Sequence, residues 1–597
     1  MNMKNNMTTG YILGIARGHN AGACLLKDGE VVFSIEEERL SRMKYDGGPY
    51  ASMIKVLEYT KKIDYLVIAH TQGLETAGRV DFSGDDVYTG LARKLRLIEH
   101  GNQVIDMSHV HHKLHAAAAF YRSGFSEAAA VIVDGAGTFI DLMYGDRPIT
   151  TWEVESIFTC KYPNNFSTVY KHLGARENIT GAHIKYFDST KYDEPEQTHE
   201  VLIDDRAGIV KVYEAVTRYC GFSFIEAGKT MGLFPYGKKN EHIPALFDET
   251  TPHITSNRNA IVPTYPNGAL VNDQLYSELS FVEGSDVTKL KNRRDLAYAV
   301  QTETQEQVVK LIRKAVKDTG HKNVVISGGY GLNCVANYHY LDALKDLDVS
   351  LYVEPISNDA GTAMGAALYH WHKLSRSTEI VQHDTLYLGP AYNYTIDEVS
   401  SVVNSAENIT MRDVTKKDIV HLLQKKNIVA MFQGRSENGP RALGNRSILF
   451  DPTCEDGKDF VNTVKHREYF RPFAGTVLAE HAATWFDLRG MKESPFMMYA
   501  VNCQPGVAEK IPAIIHVDGT CRIQTVTPEQ NKHFYDLIQC FYEATDIPVL
   551  FNTSFNLGGE PLVETLHDAI RTLASSDIEY LYLPEFNKLI EVKNVIA

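Results

Sequence analysis

Cysteine never occurs here at metal-ligand spacing. The eight cysteines stand at 24, 160, 220, 334, 454, 503, 521 and 540, with no C-x-x-C pair among them. That argues against a zinc ribbon and against a disulfide framework, and leaves buried free thiols as the expectation. No run of about 18 apolar residues occurs, so no membrane-spanning helix is expected. The opening residues MNMKNNMTTG lack the apolar stretch of a signal peptide, which points to the cytoplasm. A basic excess is missing too: the formal net charge is −15, so nucleic acid is not favoured as a general partner, although a local basic cleft remains compatible. Short internal repeats and low-complexity tracts are absent.

What remains is a chain of 597 residues, long enough for two or more domains with their own cores. YILGIARGHNAGACLLKDGEVVFSIEEERLSR opens it with a strand at 11–16 and a hairpin whose arms, roughly 22–27 and 30–36, flank the turn pair Asp28-Gly29. Further strands are expected at 64–70, 128–137 and 323–331, with helical stretches between, so the fold class is α/β. Residues 171–207 are polar and read as an insertion or lid. The stretch 373–395 loses helical periodicity and ends in Gly-Pro, and the domain boundary is placed there: 1–375 and 390–597.

HHKLHAAAAFYRSGF (111–125) has helical composition, and His111 and His115 stand at i and i+4 on one face. Two such imidazoles can converge on one metal ion, or can simply be two surface histidines. Asp134, closing the apolar strand of VIVDGAG, and Asp359, in SNDAGTAMGAAL ahead of a Gly/Ala-rich helix, favour the ion. A carboxylate at a strand's carboxyl end faces the crevice where α/β folds bind ligands. The mixed N/O set suits Fe²⁺, Mn²⁺ or Zn²⁺.

Gly328, Gly329 and Gly331 follow the strand NVVIS, and Asn333 comes just after, so backbone N–H groups are offered to a nucleotide phosphate. GFSFIEAGKTMG is not a P-loop, because Ser223 stands where its first glycine is required, but Lys229 could still approach a phosphate. Beyond 390 the arginines are denser. GRSENGPRALGNRSILFDP carries Arg435, Arg441 and Arg446; VKHREYFRPFAG adds Lys465, Arg467 and Arg471; HVDGTCRIQTV and PVLFNTSFNLGGEPLV add Arg522, Asn552, Ser554 and Asn556. Guanidinium forks among Gly, Pro and Asn, without acidic partners at helical spacing, suit phosphate or carbamoyl oxygens.

These blocks together resemble the NodU/CmcH-type carbamoyltransferase family. The resemblance runs nearly end to end, through GHNAGA, the EEER segment at 36–39, HHKLHAAAAF, VDGAG, GKTMGLFPYG, SGGYGLNC, NDAGTAMGAA, NGPRALGNRSIL, KHREYFRPFAG, HVDGTCRIQTV and NTSFNLGGEP. It implies an N-terminal domain of the actin/Hsp70/sugar-kinase (ASKHA) type and a C-terminal YrdC-like domain. It implies that the latter condenses carbamoyl phosphate with ATP, accompanied by Mg²⁺, into carbamoyl-adenylate with release of phosphate and pyrophosphate. The carbamoyl group would then pass to an acceptor hydroxyl at a metal, iron in the family, held by His111, His115, Asp134 and Asp359. Members carbamoylate antibiotic sugars, cephem hydroxymethyl groups and lipo-oligosaccharides; a hydroxymethylated pyrimidine, as nucleotide or in DNA, is a further acceptor to consider.

Carried over by position, His19 is the candidate general base. Lys465, Arg467, Arg471 and Arg522 would hold carbamoyl phosphate and the ATP phosphates. The chain reads His-Asn-Ala-Gly where the family often has His-Asp-Ala-Ser, and Tyr330 stands where a small apolar residue is usual. Two rivals are kept: a fused threonylcarbamoyl-adenosine tRNA enzyme, disfavoured by the net charge, and a non-catalytic nucleotide-binding regulator. The chain could act as a homodimer.

Overall fold

A computed structural model describes residues 10–79, 84–144, 146–176, 182–186, 198–276, 286–381, 384–406 and 408–593. The chain divides into two compact units, Met1–Glu37 with Tyr45–Asp384, and Glu38–Lys44 with Thr385–Ala597.

The N-terminal unit begins with β1 (Tyr11–Ala16), β2 (Gly22–Lys27) and β3 (Glu30–Glu36). Asp28 (φ 54°) and Gly29 (φ 90°) turn β2 into β3 with both residues left-handed, the geometry a two-residue hairpin requires. β4 (Tyr65–Ala69) pairs parallel to β1, and β5 (Val104–Asp106) parallel to β4, giving the order β3-β2-β1-β4-β5. A second sheet contains β6 (Glu127–Val133), β7 (Phe139–Tyr144), β8 (Arg147–Lys161), β9 (Asn165–Ala175), β10 (Ala182–Tyr186) and β11 (Thr198–Asp204). A separate hairpin follows, β12 (Ile261–Thr264) with β13 (Gly268–Val271), before β14 (Asn323–Ser327) and β15 (Ser350–Val353) complete the second sheet. Its order is β10-β11-β9-β8-β6-β14-β15, with β7 paired to β8. Both sheets mix parallel and antiparallel pairings and alternate with helices along the chain, in agreement with the expected α/β class. The polar stretch 171–207 includes the end of β9 and all of β10 and β11; the rest of the expected lid, 177–181 and 187–197, lies outside the described residues.

Two buried helices bring the sheets' loops together. His111–Ser123 ends on Gly124 at φ 75°, which only a residue without Cβ adopts at no cost, and Ala360–Ser375 crosses it. A Cβ on Gly365 would meet the Leu114 carbonyl oxygen at 2.0 Å, so this glycine permits backbone-to-backbone contact. The alanines 116–119 are equally buried and keep the approach close.

The C-terminal unit is built on a ten-stranded sheet. From edge to edge it runs Ile409–Asp413, Lys588–Val592, Tyr580–Leu583, Val429–Phe432, Arg446–Phe450, Val549–Ser554, Ala474–Leu478, Thr520–Val526, Ala500–Cys503 and Phe486–Asp487. It is mixed, parallel only where Val429–Phe432 meets Tyr580–Leu583 and Ala474–Leu478 meets Thr520–Val526. Residues 38–44, far away in sequence, belong to this unit. Arg39 donates to the Gly439 carbonyl at 2.6 Å, and Arg42 to the carbonyls of Leu562 and Pro561 at 2.5 and 3.1 Å. Among the described residues no helix is long and apolar enough to cross a membrane.

Candidate active site

The histidine helix, His111–Ser123, presents His111 and His115 one turn apart with ring centroids at 4.8 Å and planes at 83°. Asp134 follows β6 directly, and Asp359 sits at the head of Ala360–Ser375 without capping it. His111 Nε2 lies 3.7 Å from Asp134 Oδ2 and 3.6 Å from Asp359 Oδ1; His115 Nε2 lies 3.9 and 3.7 Å from the same two atoms. One ligand atom from each residue falls within 4.8 Å of every other.

These separations are too long for hydrogen bonds. They match ligand atoms arranged about a common ion at roughly 2.0–2.2 Å. The Nε2 atoms of both histidines are buried without a hydrogen-bond partner, as is His111 Nδ1, while His115 Nδ1 faces Ser327 Oγ at 3.5 Å. Burial disfavours charge on His111, yet contact with Asp134 and Asp359 overrides it and raises the imidazole to about 10. Burial would likewise raise both carboxyls, and the histidines instead hold them well below the usual range. The four donors, with Asp134 buried and Asp359 nearly so, fit a divalent metal.

The glycine turn after β14 serves this cluster. Gly329 N–H donates to Asp134 Oδ1 at 2.9 Å, so that amide is engaged by a carboxylate and not offered to a phosphate. Gly328, at φ 89°, brings its backbone so close to β6 that a Cβ would meet the Val133 carbonyl oxygen at 2.4 Å. Asn333 caps the helix Cys334–Ala343 through Ala336 N–H and exchanges amide hydrogen bonds with Gln301 at 3.0 and 3.2 Å. Tyr330 is buried, its hydroxyl 2.7 Å from Thr304 Oγ1. Lys229 forms an ion pair with Glu226 at 2.8 Å.

His19 reaches the cluster from the β1–β2 loop: its Nδ1 is 3.8 Å from Asp359 Oδ2, and its side chain is 58% exposed. His70, just past β4, was not singled out from the sequence. Burial and the Arg17 guanidinium keep it down at about 4, hence a neutral imidazole, and it senses the charges of His111 and Asp359. A histidine ending an apolar strand, DYLVIAH, was the signal available.

In the C-terminal unit the predicted residues separate into two groups. Arg467 is pushed well below the usual guanidinium range by burial and by Arg471 and Arg522, with Glu468 opposing and Arg441 adding to the repulsion. The Nε atom of Arg467 is buried without a hydrogen-bond partner, and the guanidinium rests over the Phe473 ring at 4.9 Å. Arg471 has Glu468 at 3.5 Å. Like charges gathered at half-buried positions favour an anion among them.

The second group is committed to the protein itself. Arg435 donates to the carbonyls of Gly389 and Leu388 at 2.6 and 2.8 Å. Arg446, fully buried over Phe432, donates to the carbonyls of Gln433, Gly434 and Glu564. Both were expected to grip a ligand; their forks instead satisfy loop carbonyls. Lys465 donates to the carbonyls of Ser554 and Asn556, and Ser554 Oγ donates to Asn556 Oδ1 at 2.6 Å, so these three form one knot. Burial, then Arg467 and Arg471, depress the Lys465 ammonium well below its usual value. Asn552 is buried, donating to Thr476 Oγ1 at 2.9 Å and Gln524 Oε1 at 3.2 Å.

A family model described as carbamoyltransferase N-terminus matches residues 84–368, and one described as carbamoyltransferase C-terminus matches residues 420–588. The uncharacterized protein sll1178 of Synechocystis is 30% identical, over 96% of both chains. Nodulation protein NolO of Bradyrhizobium diazoefficiens is 30% identical over 80% of this chain and 78% of its own. A solved full-length HypF in phosphate- and nucleotide-bound form covers 62% of this chain and 56% of its own at 14% identity and a TM-score of 0.34. With both family models and relatives spanning most of its length, the chain belongs to the carbamoyltransferase family and is a transferase enzyme.

Proposed function

We propose that the chain is an ATP-dependent O-carbamoyltransferase. Its C-terminal unit makes carbamoyl-adenylate: water cleaves carbamoyl phosphate to carbamate and phosphate, and the carbamate oxygen attacks the ATP α-phosphorus, releasing pyrophosphate. Its N-terminal unit delivers the carbamoyl group to an acceptor hydroxyl, with AMP as the leaving group. The observation that carries the first half is the half-buried set Arg441, Arg467, Arg471 and Arg522, in which Arg467 is crowded by the other three cations, an arrangement suited to a polyanion. Phosphate oxygens entering there exchange hydration for fixed guanidinium donors, which is the stabilisation that nucleotidyl transfer chiefly needs.

The second half is supported by His111, His115, Asp134 and Asp359. A divalent ion bound by them, with Fe²⁺ favoured, would act as a Lewis acid toward the carbamoyl oxygen or the acceptor hydroxyl. His19, exposed beside Asp359, accepts the hydroxyl proton at its imidazole, and Asp359 stabilises the cation that results. His70, kept neutral, adds no charge against that step.

The test is direct. Full-length protein is incubated with ATP and carbamoyl phosphate, pyrophosphate release is followed, and hydroxylated acceptors are screened by mass spectrometry for the gain of one carbamoyl group. Carbamoyl-phosphate-dependent release with a modified acceptor supports the reading. A requirement for threonine and bicarbonate in place of carbamoyl phosphate would sink it.

A further inference from the structure

The histidines and Asp134 come from different elements, and something must hold the helix to the loop. Glu153 on β8 is placed to do so. Its Oε2 accepts the Thr138 N–H at 2.9 Å and the His112 N–H at 3.3 Å. Thr138 ends the VDGAG loop that begins at Asp134; His112 stands in the first turn of the histidine helix. Thr138 Oγ1 accepts in turn from His111 N–H at 3.0 Å and donates to the Ser108 carbonyl at 2.8 Å. The Glu153 main chain grips the same loop, accepting from Gly137 N–H at 2.9 Å and donating to the Thr138 carbonyl at 3.1 Å. A Cβ on Gly137 would lie 2.5 Å from Glu153 Oε2, so the loop reads Gly there to let the carboxylate in.

The other oxygen of Glu153 meets the Lys171 ammonium from β9, which also sits over the Phe158 ring at 5.3 Å. Glu153 is 1% exposed and Lys171 5%. Desolvating such a pair costs several kcal/mol per ion, and apolar residues of similar size often serve stability as well or better. Its retention needs a reason beyond packing. Burial alone would protonate Glu153, but Lys171 and His112 hold its carboxyl well below the usual range, so it remains the anion that two N–H donors converge on.

We infer that Glu153 is a positioning residue for the metal ligands: it pins the helix bearing His111 and His115 to the loop bearing Asp134, with Lys171 as its counter-ion. The inference rests on the metal reading proposed above. Partners of this outer kind, when removed, weaken metal affinity by about ten- to a hundredfold.

The experiment titrates the full-length chain with Co²⁺, following its visible absorption bands, which report coordination geometry. Two double variants are compared with the wild type, both without a lone buried charge. Glu153→Gln/Lys171→Met keeps an amide oxygen for the two N–H groups, whereas Glu153→Leu/Lys171→Met keeps none. The first is expected to bind Co²⁺ as the wild type does, and the second to bind about ten- to a hundredfold more weakly with altered bands. Wild-type affinity in the Leu/Met variant overturns the tether, as does equal weakening in both. A wild type that takes up no Co²⁺ overturns the metal reading itself, a failure told apart by appearing before any substitution is made.

Discussion

Asp134 Oδ1 accepts the Gly329 amide at 2.9 Å, while its Oδ2 turns toward His111 and His115. One carboxylate therefore links the turn after β14 to the histidine helix, and damage to that turn reaches the cluster.

Gly328→Ala tests this link. The new Cβ would strike the Val133 carbonyl oxygen, one residue before Asp134, and the glycine-only backbone at φ 89°, ψ 160° adds about 1–3 kcal/mol. Thermal unfolding is expected at lower temperature, with bound metal, measured by elemental mass spectrometry, reduced well below that of the wild type.

His115→Ala removes a ligand without touching the arginines. Metal content is expected to fall to background and carbamoyl transfer to stop, while pyrophosphate release from ATP and carbamoyl phosphate continues. If release vanished as well, the two activities would not be divided between the units as proposed.

Arg522→Ala addresses the half-buried cluster of arginines. Inorganic phosphate should raise the melting temperature of the wild type, since a ligand at a hundred times its Kd contributes about 2.7 kcal/mol. The variant should lose most of that response yet melt no lower in phosphate-free buffer, because Arg467 is relieved of one repelling neighbour. A large loss of stability without phosphate would mark Arg522 as a structural residue.

Glu303 gives the protein a pH signature. Burial pushes its carboxyl up to about 7 from 4.5, despite the Leu246 N–H donated to it at 2.7 Å. The fold favours the protonated form, so this contribution is complete below about pH 4.5 and is lost as pH rises through 7, at most about 3 kcal/mol. Comparing melting temperatures at pH 5 and 8 for wild type and Glu303→Gln checks it: the variant should show the smaller fall.

Much of this was legible in the residues. The i, i+4 histidines, the aspartates after strand-like runs and the Asp-Gly hairpin are local patterns, and local patterns survive in any fold that keeps the elements. The roles of Arg435, Arg446 and Gly329 were not legible. Each depends on which distant carbonyl or carboxylate the backbone brings to it, and an arginine between Gly and Pro looks the same whether it meets a phosphate or the Glu564 carbonyl. Glu153 escaped for the same reason: a lone charged residue in a strand carries no spacing to read.

Arg39 and Arg42 reach the carbonyls of Gly439, Pro561 and Leu562 from a segment made 400 to 520 residues earlier in the chain. The C-terminal unit is therefore finished by a peptide that leaves the ribosome long before it does. No single cut separates the two halves intact: a fragment beginning at Thr385 lacks these guanidinium donors, and one ending at Asp384 carries them with nothing to hold. Dividing this enzyme for study calls for a permuted chain in which residues 38–44 are grafted onto the later half.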